Sequence, residues 1–330
     1  MSGAVRSLTE EWAEHLATPP EFPRNFDPED PRHGEAEFAA RMLPPRPSAE
    51  TAPLLRAIWS HMMSHRAFRP SLLAIRPQFE GPGRHGTRMG ASRNWSGTRL
   101  APVAGRRFRM IAGRWTVPRL APPAPPIAPL PPRCSIWAGF GGHRQWSRSL
   151  PQAGTLHVHD GAAGVHAPFI EWWIRGGPPS VPLPLDYPLI APGDEVAVLL
   201  WLARPTALMP FVTRLSANEL PGVALMDLEQ GSVPRPEGAS DGPSAEWILE
   251  RPLQQAPSGF RTLPDFGTVR FAGCAASADG EGERSASHGR LIRMTSLLSA
   301  PRRSRVLSEP SRRGEPAGGF RVVHRAGDRH

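Results

Sequence analysis

The chain has no lysine: its 39 basic residues are all arginine, set against 30 acidic ones for a formal charge of +9 over 330 residues. Codons rich in G and C favour Arg, Ala, Pro and Gly together, so composition explains the charge as well as an acidic partner does. No basic stripe is interleaved with aromatics, and nucleic acid is therefore not expected as a partner. Two cysteines, Cys134 and Cys274, allow at most one disulfide, and no zinc-ligand spacing accompanies them. A G-x-S-x-G serine elbow and a phosphate loop are both missing. The opening "MSGAVRSLTEEWAEHL" holds no run of seven apolar residues, so as written neither a signal peptide nor a membrane helix is expected there. Cytoplasmic is the default location, secreted if the start is misplaced, and no membrane partner is expected.

What is present suits a folded, loop-rich protein. Hydrophobic residues make up 39%, with 32 glycines and 41 prolines among 330 residues, enough for one large or two ordinary domains. Residues 1–88 differ in texture from the remainder of the chain. "SLTEEWAEHL" carries a capping-box pattern, Ser7 with Glu10, and a second helix is predicted from Ala49 to about Phe68, striped by Leu54, Leu55, Ile58, Trp59, Met62 and Met63. This stretch reads as an N-terminal helical and loop extension, separable from the rest and a candidate pro-segment.

From 89 to 300 the texture is short strands broken by Pro and Gly. "RFRMIAGRWTVP", "CSIWAGF", "PFIEWWIR", "DEVAVLLWLA", "EWILE" and "GTVRFAGC" are strand-length and rich in β-branched or aromatic residues, which predicts an antiparallel sandwich or barrel. "APPAPPIAPLPP", residues 121–132, reads as a polyproline-like surface loop. Residues 301–330, rich in Arg, Ser, Gly and Pro, read as a disordered tail.

Two histidine groups offer metal ligands, His157, His159, Asp160 and His166 in one loop and His61 with His65 on a helix. Neither has the ligand set of a known metal motif, so exposed or structural histidines are the preferred reading and no metal or cofactor is expected. The strand "AEWILE" is more informative. Alternation places Glu246, Ile248 and Glu250 on one face and Trp247 with Leu249 on the other. In "PFIEWWIR", Glu171 and Trp173 share a face opposite Ile170, Trp172 and Ile174. Two strands of one sheet thus each offer a carboxylate and aromatics to one groove, a surface suited to a peptide or sugar polymer.

In order along the chain, "NWSG" (94–97), "GRWTVP" (113–118), "SIWAGFGG" (135–142), "LPQAG" (150–154), "IEWW" (170–173), "APGDEV" (191–196), "AEWILE" (245–250) and "LPDFGTVRF" (263–271) resemble the glutamic peptidases, or eqolisins. The resemblance implies an all-β, concanavalin-like antiparallel β-sandwich, here with a partly helical N-terminal extension, whose concave face takes a polypeptide substrate. It implies a monomeric endopeptidase working at acid pH without a cofactor. Gln152 and Glu250 correspond to the catalytic pair, Glu as general base on water and Gln as oxyanion donor, sharing one cleft. Trp137 and Glu171 correspond to neighbours of that pair, with Trp95 and Trp173 lining the same face for substrate. One acid of the pattern is missing: Gly141 stands where the family has aspartate. Its restoration is expected to raise turnover unless Gly141 holds a positive φ. A sandwich that binds peptide or glycan without catalysis is the alternative, and a two-carboxylate glycosidase a third reading.

Overall fold

Alternation along the apolar runs decides which side of each strand is buried. In the computed structural model, residues 26–41, 43–65, 69–70, 87–88, 90–103, 105–121, 131–143, 147–159, 164–175, 183–185, 188–215, 219–228, 238–254, 259–278, 282–296 and 304–325 are described. The predicted helix at 7–16, most of the proline-rich run and Asp160 lie outside them.

The longer strands, in chain order, are β1 (Trp95–Leu100), β2 (Phe108–Thr116), β3 (Arg133–Phe140), β4 (Ser149–Val158), β5 (Val165–Ile174), β6 (Glu195–Arg204) and β7 (Ala207–Arg214). They continue with β8 (Ala245–Glu250), β9 (Thr268–Ala278), β10 (Glu283–Ser285), β11 (Arg290–Thr295), β12 (Val306–Ser311) and β13 (Phe320–His324). Antiparallel pairing gives a back layer in the order β7-β6-β2-β9-β13-β12. A front layer runs β1-β8-β3-β4-β5. Strand β11 pairs with β12 at one end and β1 at the other, so a single sheet curls over itself into a sandwich. Between the layers lie Ile111, Trp115, Val196, Val198 and Leu200 from the back and Ile136, Phe140, Ile170, Trp172, Trp247 and Leu249 from the front.

The expected disorder of the C-terminal tail is not what the structure shows. The supposed tail supplies β12 and β13, because Phe320 and Val322 insert into the inter-sheet core and Phe320 stacks on Phe271 at 4.4 Å. Arginine-rich composition hid a two-residue alternation of just five residues. The extension packs closely on the sheet. Arg69–Pro70 and Thr87–Arg88 form short pairings on the sheet. Helix α2 (Pro53–Ser64), following α1 (Glu35–Ala40), buries Leu55, Ile58, Trp59, Met62 and Met63 against Met110, Ala112, Ala197, Leu199, Phe211 and Ala275. These sheet residues alternate with the inter-sheet set, so the helix is a third layer on the outer face of the back sheet, away from the front layer.

The helix begins at Pro53 rather than at the predicted Ala49, because proline suits the first helical position where no N–H is needed. No side chain of its own caps it. Instead Leu54 N–H and Leu55 N–H donate to the two carboxylate oxygens of Glu283 on β10, at 3.1 and 2.9 Å. The carboxylate also faces the positive end of the helix dipole. Replacing Glu283 with Ala is expected to lower the unfolding free energy by about 1–2 kcal/mol. Removing residues 1–65 is expected to abolish a single cooperative urea transition, since Met110, Leu199 and Phe211 lose their cover. A cooperative transition in the truncated chain would show that the two-layer sandwich stands alone.

Candidate active site

Strand β8 takes its place through Trp247, which enters the inter-sheet core and donates its indole N–H to the Ala112 carbonyl at 2.9 Å. The opposite face of the strand is then set by alternation. Ile248 lies opposite Trp137 on β3, Glu250 opposite Ser135, and Glu246 opposite Gly139. Gly139 pairs with Gln152 on β4, and Gln152 with Glu171 on β5. Directly opposed residues share a face, so Glu246, Glu250, Trp137, Gln152 and Glu171 all project from the outer side of the front layer. Trp95, opposite Glu250, and Trp173, opposite Leu150, join them. Together with Leu150, Phe169, Ile248 and Ile292 the three tryptophans form a cluster there, separate from the inter-sheet core. Gly154 makes room for Trp137: a Cβ there would sit 2.7 Å from the Trp137 Cβ.

The Glu250 carboxyl is 7% exposed. Trp137 Nε1–H donates to its Oε2 at 2.8 Å, and Asn94 Nδ2–H to its Oε1 at 3.0 Å. Ser92 Oγ–H donates to Asn94 Oδ1 at 3.0 Å, which turns the amide's N–H side toward the carboxyl. The Trp95 indole also favours the charged form, and its ring meets Trp137 edge-on, centroids 5.2 Å apart. Burial outweighs these donors and pushes the acid up to about 7, with Trp137, Trp95, Asn94 and then the Arg133 charge opposing.

Gln152 is 3% exposed. Its Nε2–H donates to Glu171 Oε2 at 2.9 Å, while its Oε1 is buried and accepts no hydrogen bond from the protein. Gln152 and Glu250 therefore make their hydrogen bonds to different neighbours, with Trp137 in the row between them.

The sequence did not point to Asn94, Ser92 or His143 as site residues. Asn94 sits in the quoted "NWSG", whose order was visible but whose side-chain direction was not. At the far end of the same face, Glu246 is fully buried, and its Oε2 accepts from Gly141 N–H at 2.9 Å while His143 Nδ1 lies 3.2 Å from its Oε1. Arg99 contacts the other imidazole nitrogen. Burial raises the Glu246 acid, opposed chiefly by His143.

Gly141 has φ +83°, and a Cβ there would lie 2.7 Å from Ser147 Oγ and 2.9 Å from the Ser149 carbonyl. The backbone and its neighbours at this position suit glycine, so an aspartate side chain would be both strained and crowded. Elsewhere, His157 and His166 face each other with Nδ1 atoms 2.8 Å apart, and Thr155 Oγ1 lies 2.9 Å from His157 Nε2 and accepts from the Trp115 indole at 2.8 Å. Burial lowers the His157 pKa. Among the described residues no group of three His, Cys, Asp or Glu is arranged to hold a metal ion.

The fold is thus a curled antiparallel sandwich that carries an acid, an amide and indoles on one face of its front layer. The family model described as "Peptidase A4 family" matches residues 93–304, and the chain belongs to that family, the eqolisin or glutamic peptidases. Its fold is similar to that of scytalido-glutamic peptidase, solved with a transition state analog inhibitor, at 17% identity and TM-score 0.55, covering 70% of this chain and 98% of that one. It is also similar to SCP-B, a member of the eqolisin family solved with the tripeptide Ala-Ile-His, at 16% identity and TM-score 0.50, with 70% and 98% covered. No curated protein matches the sequence.

This geometry has two measurable consequences. Glu250 titrates near 4.5 when unfolded and at about 7 when folded, so its stabilising contribution is complete below 4.5 and lost as pH rises through 7. The unfolding free energy of Glu250→Gln relative to wild type is therefore expected to climb by about 3 kcal/mol between pH 4 and pH 8, measured by urea titration. Gly141→Asp is expected to cost roughly 1–3 kcal/mol of stability in the same assay, from the left-handed backbone and the crowded Cβ, and to bring no gain in turnover.

Proposed function

We propose that the chain is a glutamic-type endopeptidase in which Glu250 is the general base and Gln152 the oxyanion donor. The observation that carries the reading is the buried Glu250 carboxyl, held by the Asn94 amide and the Trp137 indole on the face that also presents Gln152 and Glu171. The transition state analog inhibitor and the tripeptide bound by the similar structures support a peptide as the ligand of this chain.

In this reading Glu250 takes a proton from water as the oxygen attacks the scissile carbonyl, then returns it to the departing amine. The Gln152 amide has two N–H donors. One is committed to Glu171 Oε2, which orients the side chain, and the other is left for the oxygen that gains charge. Trp137 and Asn94 keep the base aimed, and the tryptophan cluster supplies apolar contact for substrate. A base that ionises at about 7 works best near or above neutrality, so the reading favours a less acidic optimum than the resemblance alone implies.

Gly141 favours the alternative, a sandwich that binds peptide without cleaving it. Cleavage of a denatured protein, followed from pH 3 to pH 9, separates the two. The expected result is a kcat/KM that rises through an acidic limb near pH 7, is lost in Glu250→Gln, and falls about 100-fold or more in Gln152→Ala. Hydrolysis that persists in Glu250→Gln, or none by the wild type at any pH, would sink the peptidase reading.

A further inference from the structure

The Glu250 end of the front face carries a group of arginines, Arg133, Arg261, Arg93 and Arg251. Arg133 opens β3 two residues before Ser135, the partner of Glu250, and by alternation lies on the same face as Trp137. Its charge is felt by both Glu250 and Glu171, and by Arg261, a like charge. Arg133 is half-buried and its Nε is buried without a hydrogen bond. Arg261 belongs to the hairpin of Leu253–Gln254 with Gly259–Phe260 that comes after β8. Backbone hydrogen bonds tie this hairpin back to the site: Arg261 N–H to Pro252 at 2.9 Å and Arg133 N–H to Thr262 at 3.0 Å.

Two further arginines brace it. Arg93 and Arg251 both stack on the Phe260 ring, at 4.8 and 4.6 Å from its centroid, and Arg251 Nη2 donates to the Arg93 carbonyl at 3.0 Å. Burial and the Arg93 charge lower the Arg251 pKa to about 10, and its Nε too is buried without a hydrogen bond. Among the described residues none of the four makes an ion pair with an acid, although ion pairs form along the rest of the molecule. A half-buried cation facing a second cation is costly unless an anion joins them.

We infer that Arg133 and Arg261 form a subsite that receives a carboxylate of the substrate, either an acidic side chain or the terminal carboxylate, beside the bond attacked at Glu250. Arg93, Phe260 and Arg251 are positioning residues that hold the hairpin bearing Arg261. The guanidinium fork suits a carboxylate, and the anion removes the repulsion between the pair. The inference rests on the peptidase reading for what happens next to the subsite, but the binding it describes does not require cleavage. It also agrees with a base that ionises near neutrality, where a peptide carboxylate is charged.

The test is steady-state kcat/KM on a neutral quenched peptide, on versions with Glu for Gln at each flanking position in turn, and on shortened versions ending as free acid or as amide. At least one acid form is expected to be cleaved about tenfold better than its matched neutral form, and the arm in which this occurs identifies the source of the carboxylate. Arg133→Gln and Arg261→Gln should each bring that ratio to within about twofold, added salt should shrink it, and Arg261→Lys should retain part of it. Cleavage of the neutral peptide with no preference for any acid form would overturn the subsite while leaving the peptidase reading intact. A preference that survives both Gln substitutions would also overturn it. If no peptide is cleaved, the peptidase reading falls alone, and the same peptides are titrated onto Glu250→Gln by calorimetry. There a preference for the acid form, abolished by adding Arg261→Gln, upholds the subsite, and equal binding of acid and neutral forms overturns it.

Discussion

The structure depends on the two-residue period of β8. Trp247 and Leu249 fill the core between the layers, and that commitment places Glu246, Ile248 and Glu250 on the opposite face. A slip of one residue would put two carboxyls between packed sheets and two large apolar side chains outside. The tolerance for error is therefore small, and the core selects the register that also builds the site. Neighbouring strands reinforce it, since Gly139 and Gly154 leave space where Gln152 and Trp137 come down on the sheet.

The outer face of the front layer is unusual for a solvent-facing sheet surface because its large side chains are buried together with two of its three carboxyls, Glu246 and Glu250. Glu250 is reached by neutral donors and Glu246 by a backbone N–H and an imidazole. The Arg133 charge opposes the upward shift of Glu250 without cancelling it. Burial thus lets Glu250 change protonation near neutrality, and Arg133 and Arg261, which form no ion pair among the described residues, keep capacity for an external anion. His157 acts in the opposite direction on stability: burial lowers its pKa, so the folded state loses ground as pH falls below the ordinary histidine value near 6.5. Acid conditions thus favour the carboxyls of the front face and oppose the histidine pair in the core.

The extension illustrates how a layer can be read as an appendage. Its helix has an apolar stripe, but a stripe says only that something is buried, not against what. The outer face of the back sheet is apolar at Met110, Ala112, Leu199 and Phe211, and it needs the helix as much as the helix needs it. A carboxylate from residue 283 caps a helix that begins at residue 53, a pairing that no local pattern contains.

Alternation and motif order were local properties, so the sequence by itself determined the all-β class, the strands carrying Trp137, Glu171 and Glu250, and the face each of those residues takes. It also determined the family, through eight short segments in a constant order. Three-dimensional packing decided the rest. Strands β12 and β13 were illegible because five or six residues of weak alternation among arginines become strands only when β9 and β11 offer edges to pair with. Asn94 became a ligand of Glu250 because β1 and β8 run side by side, and a side chain at Gly141 is disfavoured because Ser147 and Ser149 lie close over it. Arg133 and Arg261, at the Glu250 end of this face, come from a strand start and a hairpin over a hundred residues apart, and only the closed sheet brings their like charges together.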